Sequence, residues 1–439
     1  MNNYYLLQEA EAASYGASVY IPVLAMIVMI ALGVPVWVLL GLGSIAMLVL
    51  TDVLPLSLVG ESLFDGIDAF ALIAIPLFIL TGDVLVRTGL SNKLLDIAEA
   101  CTGAARSGLG SSTVLGCGFF ACISGSDAAG AAAVGRMTIH RLVDRGYPKA
   151  YACALVASGA CTGILIPPSI AYIIIGLILG ISASTLFLAA AIPGLMVMIS
   201  IMVTNAVLNR ISGYEDAKTG FSWKRWTKAM IDGRYALLIP GIILGGIYSG
   251  VFTPTEAAAI AVFVGIVIGL ATGTITWRDF PKMLYSSAKI NGIILPIIAM
   301  SLPLAQTLAI LDIPQSFVAS MTALTDDPVH ITLLMIAILI VAGCVMETTP
   351  NIVVLSPILL PLAQSIGMDE IHFCIMMVTA LGVGFITPPL GLNLFVVSGV
   401  TGTPVLSVAR YAVPYVIAML GVVLLLAFIP ALSLWALPT

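Results

Sequence analysis

Apolar residues run through this chain in blocks long enough to cross a bilayer, and polar residues interrupt them at a few places. Residues 20–50 are apolar but punctuated by Gly33-Val34-Pro35, which predicts one tilted span or two short pieces. An acidic patch (Glu61, Asp65, Asp68) precedes a span over 69–86 with Pro76 inside it, and 87–109 are polar and basic. Residues 111–135 are apolar again but broken at 124–127, Ser-Gly-Ser-Asp, which predicts a re-entrant hairpin. A basic turn (136–149) leads to an apolar run over 151–180 with Pro167-Pro168 in its middle, then to a span over 184–208. Residues 209–234 form the longest polar stretch, with Trp223 and Trp226 among basic residues, and read as an interfacial connector. Spans follow near 235–248, 255–272, 290–311 and 331–346. A second interrupted run (347–363), a run over 371–400 broken at Thr387-Pro388-Pro389, and a last span over 411–434 complete the chain.

Composition agrees with the pattern. Of 439 residues 60% are hydrophobic and 9% charged, with a mean hydropathy of +1.14; a soluble domain carries roughly 25% charged residues. The 24 prolines and 41 glycines, many within apolar runs, predict discontinuous helices rather than a plain bundle. No basic stripe interleaved with aromatics is present, so nucleic acid is not an expected partner. The seven cysteines form no CxxC and read as small buried hydrophobes. The first residues carry Glu9 and Glu11 and no basic group, unlike a cleaved signal peptide, so the first apolar run is expected to be retained.

Laid on the first half with an offset of about 220, the second half matches its punctuation. Pro35 falls by Pro254, Pro76 by Pro296, and Pro167-Pro168 by Pro388-Pro389. Charge tests the match independently. Residues 87–149 carry seven Lys/Arg, whereas 308–370 carry none and hold Asp312, Asp326, Asp327, Asp369 and Glu370. The acidic patch at 61–68 pairs with Arg278, Lys282 and Lys289. Lys and Arg favour the cytoplasmic side, so each loop and its partner face opposite sides. The expected fold is therefore an all-α polytopic membrane protein of two inverted-topology repeats, residues 1–208 and 235–439, joined by an amphipathic connector at 209–234. Its N-terminus is expected in the periplasm, with 87–106, 136–149, 209–234 and 278–289 in the cytoplasm.

In inverted-repeat carriers the broken helices meet near the midplane, where half-helix N-termini favour anions and unwound carbonyls favour cations. Sodium, a hard ion, takes oxygen ligands. The expected sodium ligands are Ser124, Gly125, Ser126, Asp127, Pro167, Ser169, Thr348, Thr349, Thr387, Pro388 and Gly391; the expected substrate contacts are Ser126, Asp127, Glu347, Thr349, Asn351 and Asn393. The competing reading has each Ser or Thr bonding back to its own helix, with the prolines merely kinking it. Asp127 and Glu347, ionisable groups at membrane depth, ligate a cation, carry a proton or pair with Arg136. Asp83 and Arg87 are spaced for a helix-end ion pair. Thr253-Pro254-Thr255-Glu256 fits a capped helix start with Thr253 as N-cap. His140, His330 and His372 are placed in loops and form no metal set, and no nucleophile–base pair or phosphate loop is present.

These motifs resemble the large membrane subunit (M, or DctM-like) of TRAP transporters, the tripartite ATP-independent periplasmic systems. The resemblance is carried by Ile123-Ser124-Gly125-Ser126, Arg145-Gly146-Tyr147, Ile166-Pro167-Pro168-Ser169, Thr253-Pro254-Thr255-Glu256-Ala257-Ala258-Ala259, Ser356-Pro357-Ile358-Leu359-Leu360-Pro361 and Ile386-Thr387-Pro388-Pro389-Leu390-Gly391-Leu392-Asn393-Leu394-Phe395. It implies a bacterial inner-membrane carrier, not an enzyme, in which a transport domain with two hairpins slides past a scaffold in the manner of an elevator. It implies coupling to sodium ions with no organic cofactor. It also implies two protein partners: a small four-helix membrane subunit (Q), expected here as a separate polypeptide, and a periplasmic binding protein that delivers an organic acid anion. Three positions depart from the family's usual pattern: Asp127 and Gly130 stand for a Ser and a later Asp, and Glu347 follows Met346 where the family often has Met-Asp. The alternatives are a stand-alone sodium:dicarboxylate symporter, which would need no binding protein, and an intramembrane enzyme, which would need a catalytic dyad or metal set at depth.

Overall fold

A computed structural model describes residues 16–103, 107–215 and 222–436, and every regular element among them is helical. The chain opens with α1 (Gly16–Ala31) and α2 (Val36–Thr51), so the first apolar run is two helices. Gly33, at φ +75, and Pro35 end the first and start the second. Then come α3 (Ser57–Ile67), a 3-10 turn (Phe70–Ile73), α4 (Ala74–Arg87) and α5 (Leu90–Thr102). The first hairpin is α6 (Gly108–Ser124) and α7 (Asp127–Asp144). The first broken segment is α8 (Lys149–Ala160), the single turn α9 (Thr162–Leu165) and α10 (Ile170–Leu179). α11 (Ala183–Ser212) closes this half.

The polar connector is partly helical. α12 (Trp223–Asp232) buries no residue and bends 70° into α13 (Arg234–Tyr248). The second half continues with α14 (Pro254–Ala271), α15 (Phe280–Ile310) and α16 (Ile313–Leu324). α17 (Pro328–Val345) and α18 (Thr348–Ser365) form the second hairpin. α19 (Glu370–Gly384), α20 (Leu392–Thr401), α21 (Val405–Phe428) and the short α22 (Ala431–Leu434) complete it. Among the described residues seven helices are long and apolar enough to cross a bilayer.

Matched elements of the two halves exchange partners. α2 packs on α15, where Leu39, Leu40 and Met47 meet Ile297, Leu304 and Leu308; its counterpart α14 packs on α4, where Val262 meets Leu80 and Val84. α10 packs on α18, and its counterpart α20 packs on α7 and α8. This is the two-repeat architecture the punctuation predicts, with hairpins and broken helices interleaved around one shared core.

Local chemistry sets the helix ends. Thr253 Oγ1 accepts from Glu256 N (3.3 Å) and Glu256 Oε2 accepts from Thr253 N (2.8 Å), a capping box with Pro254 in the first turn. Asp83 and Arg87 pair at 2.8 Å at the end of α4. The base of the first hairpin is fixed by Glu215, a buried carboxylate whose oxygens accept from Leu109 N, both at 3.2 Å, and from Tyr147 Oη at 2.8 Å. Burial and that carboxylate raise the Tyr147 phenol above its ordinary range.

Several expectations are corrected. The three histidines lie in helices, not loops, because helices extend past the apolar run into polar ends. His140 is on α7, His330 in the first turn of α17 beside Asp327 (2.8 Å), and His372 on α19 is buried against Ser433 Oγ (3.1 Å). The polar stretch 87–109 contains α5, whose buried face (Leu90, Leu94, Leu95, Ala98) its helical spacing supplies. α15 begins ten residues before the expected 290, and α21 begins at Val405 rather than 411.

Two matched glycines let the broken helices touch the hairpins backbone to backbone. A Cβ on Gly163 would lie 2.7 Å from Asp127 N and Ser126 O, and one on Gly384 would lie 2.6 Å from the Gly343 backbone. Gly163→Ala and Gly384→Ala are expected to cost about 1–3 kcal/mol each through forced displacement of a hairpin. Gly292→Ala, where nothing lies within 4 Å, is expected to be neutral or to gain up to about 1 kcal/mol. Denaturant unfolding of the purified variants checks this; equal behaviour of all three removes the close-approach argument.

Candidate functional site

The first hairpin turns over at 124–127. α6 ends at Ser124, Gly125 takes φ +61, and Ser126 caps α7 by accepting from Ala129 N at 3.4 Å. The turn is held by the first break: Ile170 N donates to Gly125 O at 3.2 Å, and a Cβ on Gly125 would lie 2.9 Å from Pro168 O. The second half repeats the device, with Gly391 N donating to Cys344 O at 3.2 Å. There Asn351 Nδ2 ties the hairpin by donating to Met346 O (2.9 Å) and Ala342 O (3.3 Å). Each Pro-Pro pair is cis. The first pair is buried, whereas Pro388 and Pro389 are exposed.

The halves meet at Asn393. From the start of α20 its Nδ2 donates to Ala157 O (3.4 Å) on α8 and approaches Cys161 Sγ (3.5 Å). Asp127 is buried, in the first turn of α7, within electrostatic reach of Glu347 and next to the Asn393 amide. Glu347 stands at the N-cap position of α18 without a side-chain capping bond and is exposed at a cavity of about 180 Å³ lined by Gly343, Leu390 and Phe395. The N-termini of α7, α10, α18 and α20 and the C-termini of α6, α9, α17 and α19 end at the two hairpin turns and the two breaks. Partial positive and partial negative ends are therefore both present, with no Lys or Arg within 123–135, 161–176, 344–356 or 384–400.

The predicted residues separate into three groups. Ser124, Ser169 and Thr387 each donate their hydroxyl proton to a carbonyl of the preceding helical turn, namely Phe120 O (3.1 Å), Ile164 O (2.7 Å) and Val383 O (2.7 Å). Back-bonding thus describes their protons, while each oxygen keeps lone pairs free to accept. Asp127 Oδ2, Thr348 Oγ1, Asn351 Oδ1 and Asn393 Oδ1 are buried oxygens with no hydrogen-bond partner among the described residues. Gly125, Pro167, Pro388 and Gly391 supply backbone at the breaks, Ser126 serves as a cap, and Thr349 is buried beside Thr348. The pairing of Asp127 or Glu347 with Arg136 is not made: Arg136 is exposed, more than two turns further along α7, with no ion pair among the described residues.

Sequence reasoning missed Cys161, whose sulfur meets Asn393, and Tyr172, a fully buried phenol on α10 whose hydroxyl has no partner among the described residues. Cys161 sits in an apolar run where only the cross-half contact distinguishes it. Tyr172 had a signal, a hydroxyl three residues after the Pro167-Pro168-Ser169 break.

Residues 23–432 match the family described as the DctM component of tripartite ATP-independent periplasmic transporters. The chain belongs to that family. It is 39% identical over 381 residues to the C4-dicarboxylate TRAP transporter large permease protein DctM of Pseudomonas aeruginosa, covering 86% of this chain and 88% of that one. It is 35% identical over 407 residues to the isethionate TRAP transporter permease protein DctMQ of Oleidesulfovibrio alaskensis; there the match covers 92% of this chain but spans only 64% of that protein. Identity to the 2,3-diketo-L-gulonate TRAP large permease YiaN of Escherichia coli is 32% over 412 residues, with 92% and 95% covered. The YdaH transporter of Alcanivorax borkumensis, a crystal structure of unusual topology, superposes with a TM-score of 0.60 at 13% identity. It covers 86% of this chain and 89% of that one, a likeness of fold alone. As a DctM-type permease the chain is a multi-pass membrane protein whose hairpins and breaks are its central polar feature.

The amide of Asn351 is the tie that closes the second hairpin of this permease. Asn351→Ala takes the amide donor from Met346 O and leaves Ala342 O only its bond from Met346 N, and is expected to cost about 1–3 kcal/mol. Hydrogen exchange should accelerate over 342–351 and stay unchanged over 120–130. Unchanged protection at 342–351 would show that the tie is not needed.

Proposed function

We propose that this permease drives uptake of an organic acid anion with the sodium gradient. The observation that carries the reading is the set of four unpartnered buried oxygens, on Asp127, Thr348, Asn351 and Asn393, at the ends of broken helices. An unsatisfied buried polar oxygen costs free energy, and a hard cation with oxygen preference relieves that cost. Sodium is held by these oxygens with the hydroxyls of Ser124, Ser126, Ser169, Thr349 and Thr387 and the backbone around Gly125, Pro167, Pro388 and Gly391. The anion is met by the N-termini of the half-helices, with Ser126, Asp127, Glu347, Thr349, Asn351 and Asn393 around it. Bound sodium makes a site containing two carboxylates acceptable to an anion, which is the physical basis of coupling.

The energetics suit this. Each sodium ion crossing 100 mV releases about 2.3 kcal/mol, and each tenfold gradient adds about 1.4 kcal/mol. A dianion carried with two sodium ions is electroneutral and feels only the chemical gradients; a third ion adds the membrane potential. The C4-dicarboxylate, isethionate and diketogulonate named for the relatives are all organic anions, which supports that cargo class. The family's tripartite description supports two partners, a small membrane subunit and a periplasmic binding protein. The repeats, 1–208 and 235–439, divide into scaffold helices and an elevator body bearing both hairpins. α12 lies on the cytoplasmic surface through Trp223 and Trp226, and the N-terminus is periplasmic.

Uptake in proteoliposomes of the permease with its small subunit tests the reading. Transport is expected only with an inward sodium gradient and the binding protein together, and Asp127→Asn and Glu347→Gln are each expected to lower it about tenfold or more. Sodium alone should slow thermal unfolding of the native complex and not of the Asp127→Asn complex. Uptake without the binding protein points instead to a stand-alone symporter. Uptake driven by a proton gradient without sodium rejects sodium coupling.

A further inference from the structure

Arg410 is the only Lys or Arg in the last 150 residues. It is the sixth residue of α21, a 24-residue apolar helix, and so lies about 7–8 Å along its axis. The start of α21 sits at the basic end of the molecule, since Lys149 Nζ, from the basic turn, donates to Thr401 O at 2.7 Å. Arg410 has no ion pair or hydrogen bond with any described residue. Arg410 is exposed on the outside of this helix, and a permanent charge within an apolar segment is costly unless it faces water, a cavity or a partner. Arg410 does line a cavity, of about 500 Å³, walled by Pro388 of the second break and by Leu406, Ser407, Ala409 and Val413. The fold does not require the charge: at the matched position of the first half stands Ala189, fully buried in α11. The first Pro-Pro break is buried, whereas the second opens toward Arg410.

We propose that Arg410 binds the acidic group, carboxylate or sulfonate, of the transported anion in the cavity beside the second break, and so receives the cargo on its way to the basic end. The proposal rests on the permease reading above and adds to it a cation, where none lies within 123–135, 161–176, 344–356 or 384–400 around the hairpin turns and breaks. A guanidinium fits this role because it stays protonated and offers paired donors matched to the oxygens of a carboxylate or sulfonate.

The test places a thiol on the cavity wall, Ser407→Cys, in a Cys101→Ser background; the remaining cysteines are buried. The complex with the small subunit is labelled with a polar maleimide in sodium buffer, with succinate, isethionate or sialic acid as probes and mannitol as control. At least one acid is expected to slow labelling about fivefold or more. Arg410→Gln is expected to abolish that protection and Arg410→Lys to keep part of it. In uptake, Arg410→Gln is expected to raise KM about tenfold while the maximal rate stays within about twofold. Equal protection in the Gln variant overturns the proposal, as does an acid that is taken up yet protects nothing. Slowing by phosphatidylglycerol nanodiscs and by no acid also overturns it, making Arg410 a headgroup anchor. If the unmodified complex shows no sodium- and binding-protein-dependent uptake of any acid, the permease reading itself fails and takes this proposal with it.

Discussion

In hydrocarbon every backbone N–H and C=O must find its partner within the protein, and this chain interrupts its helices four times at membrane depth. The breaks are tolerated because each hairpin turn is stitched to a broken helix, Ile170 N to Gly125 O in one half and Gly391 N to Cys344 O in the other. Those stitches require backbones in contact, which is why Gly125, Gly163 and Gly384 stand where any side chain would collide with main-chain atoms. Both hairpins are therefore built as part of the broken helices beside them and cannot be displaced independently. The site inherits its rigidity from this requirement.

The same interruptions create the chemistry. Ending a helix exposes half-charges of both signs, and eight helix ends at two hairpin turns and two breaks give regions that are polar without basic side chains. Asp127 and Glu347 add negative charge, and Asn393 bridges the halves through Ala157 and Cys161. On the proposal made above, a region of this kind accepts an anion once cations have entered it. The oxygens of Asp127, Thr348, Asn351 and Asn393 that lack a partner among the described residues are of the chemistry a hard ion prefers, which is what the sodium proposal rests on.

The two halves share a plan but not a surface. The first break is enclosed and the second is open, and the charges at their ends differ in sign. Intertwined packing, α2 on α15 and α14 on α4, means that neither half completes its core alone. Burial of Leu and Ile between helices gains little over lipid, so the close contacts of small residues carry the specificity of the packing.

Sequence alone determined the helical class, the repeat and its offset, the two hairpins, the two Pro-Pro breaks and the capping box at Thr253. Each follows from local rules: an apolar run long enough to span, a proline or glycine that ends it, an Asp or Ser that caps the next. Lys/Arg placement predicted the opposed orientation of the halves for the same reason, because charge is excluded from lipid wherever it occurs in the chain. Tertiary structure alone decided which oxygens are left without partners, that Asn393 meets Cys161, that Arg136 turns away from Asp127, and that Arg410 shares a cavity with Pro388. The last of these and the Asn393–Cys161 contact join residues 22 and 232 positions apart. The histidines show the limit from the other side: a polar helix end and a loop have the same composition, and only the packing of α19 on its neighbours buries His372. Hydrophobic pattern reports how each segment meets lipid, whereas a binding site is made where segments meet each other.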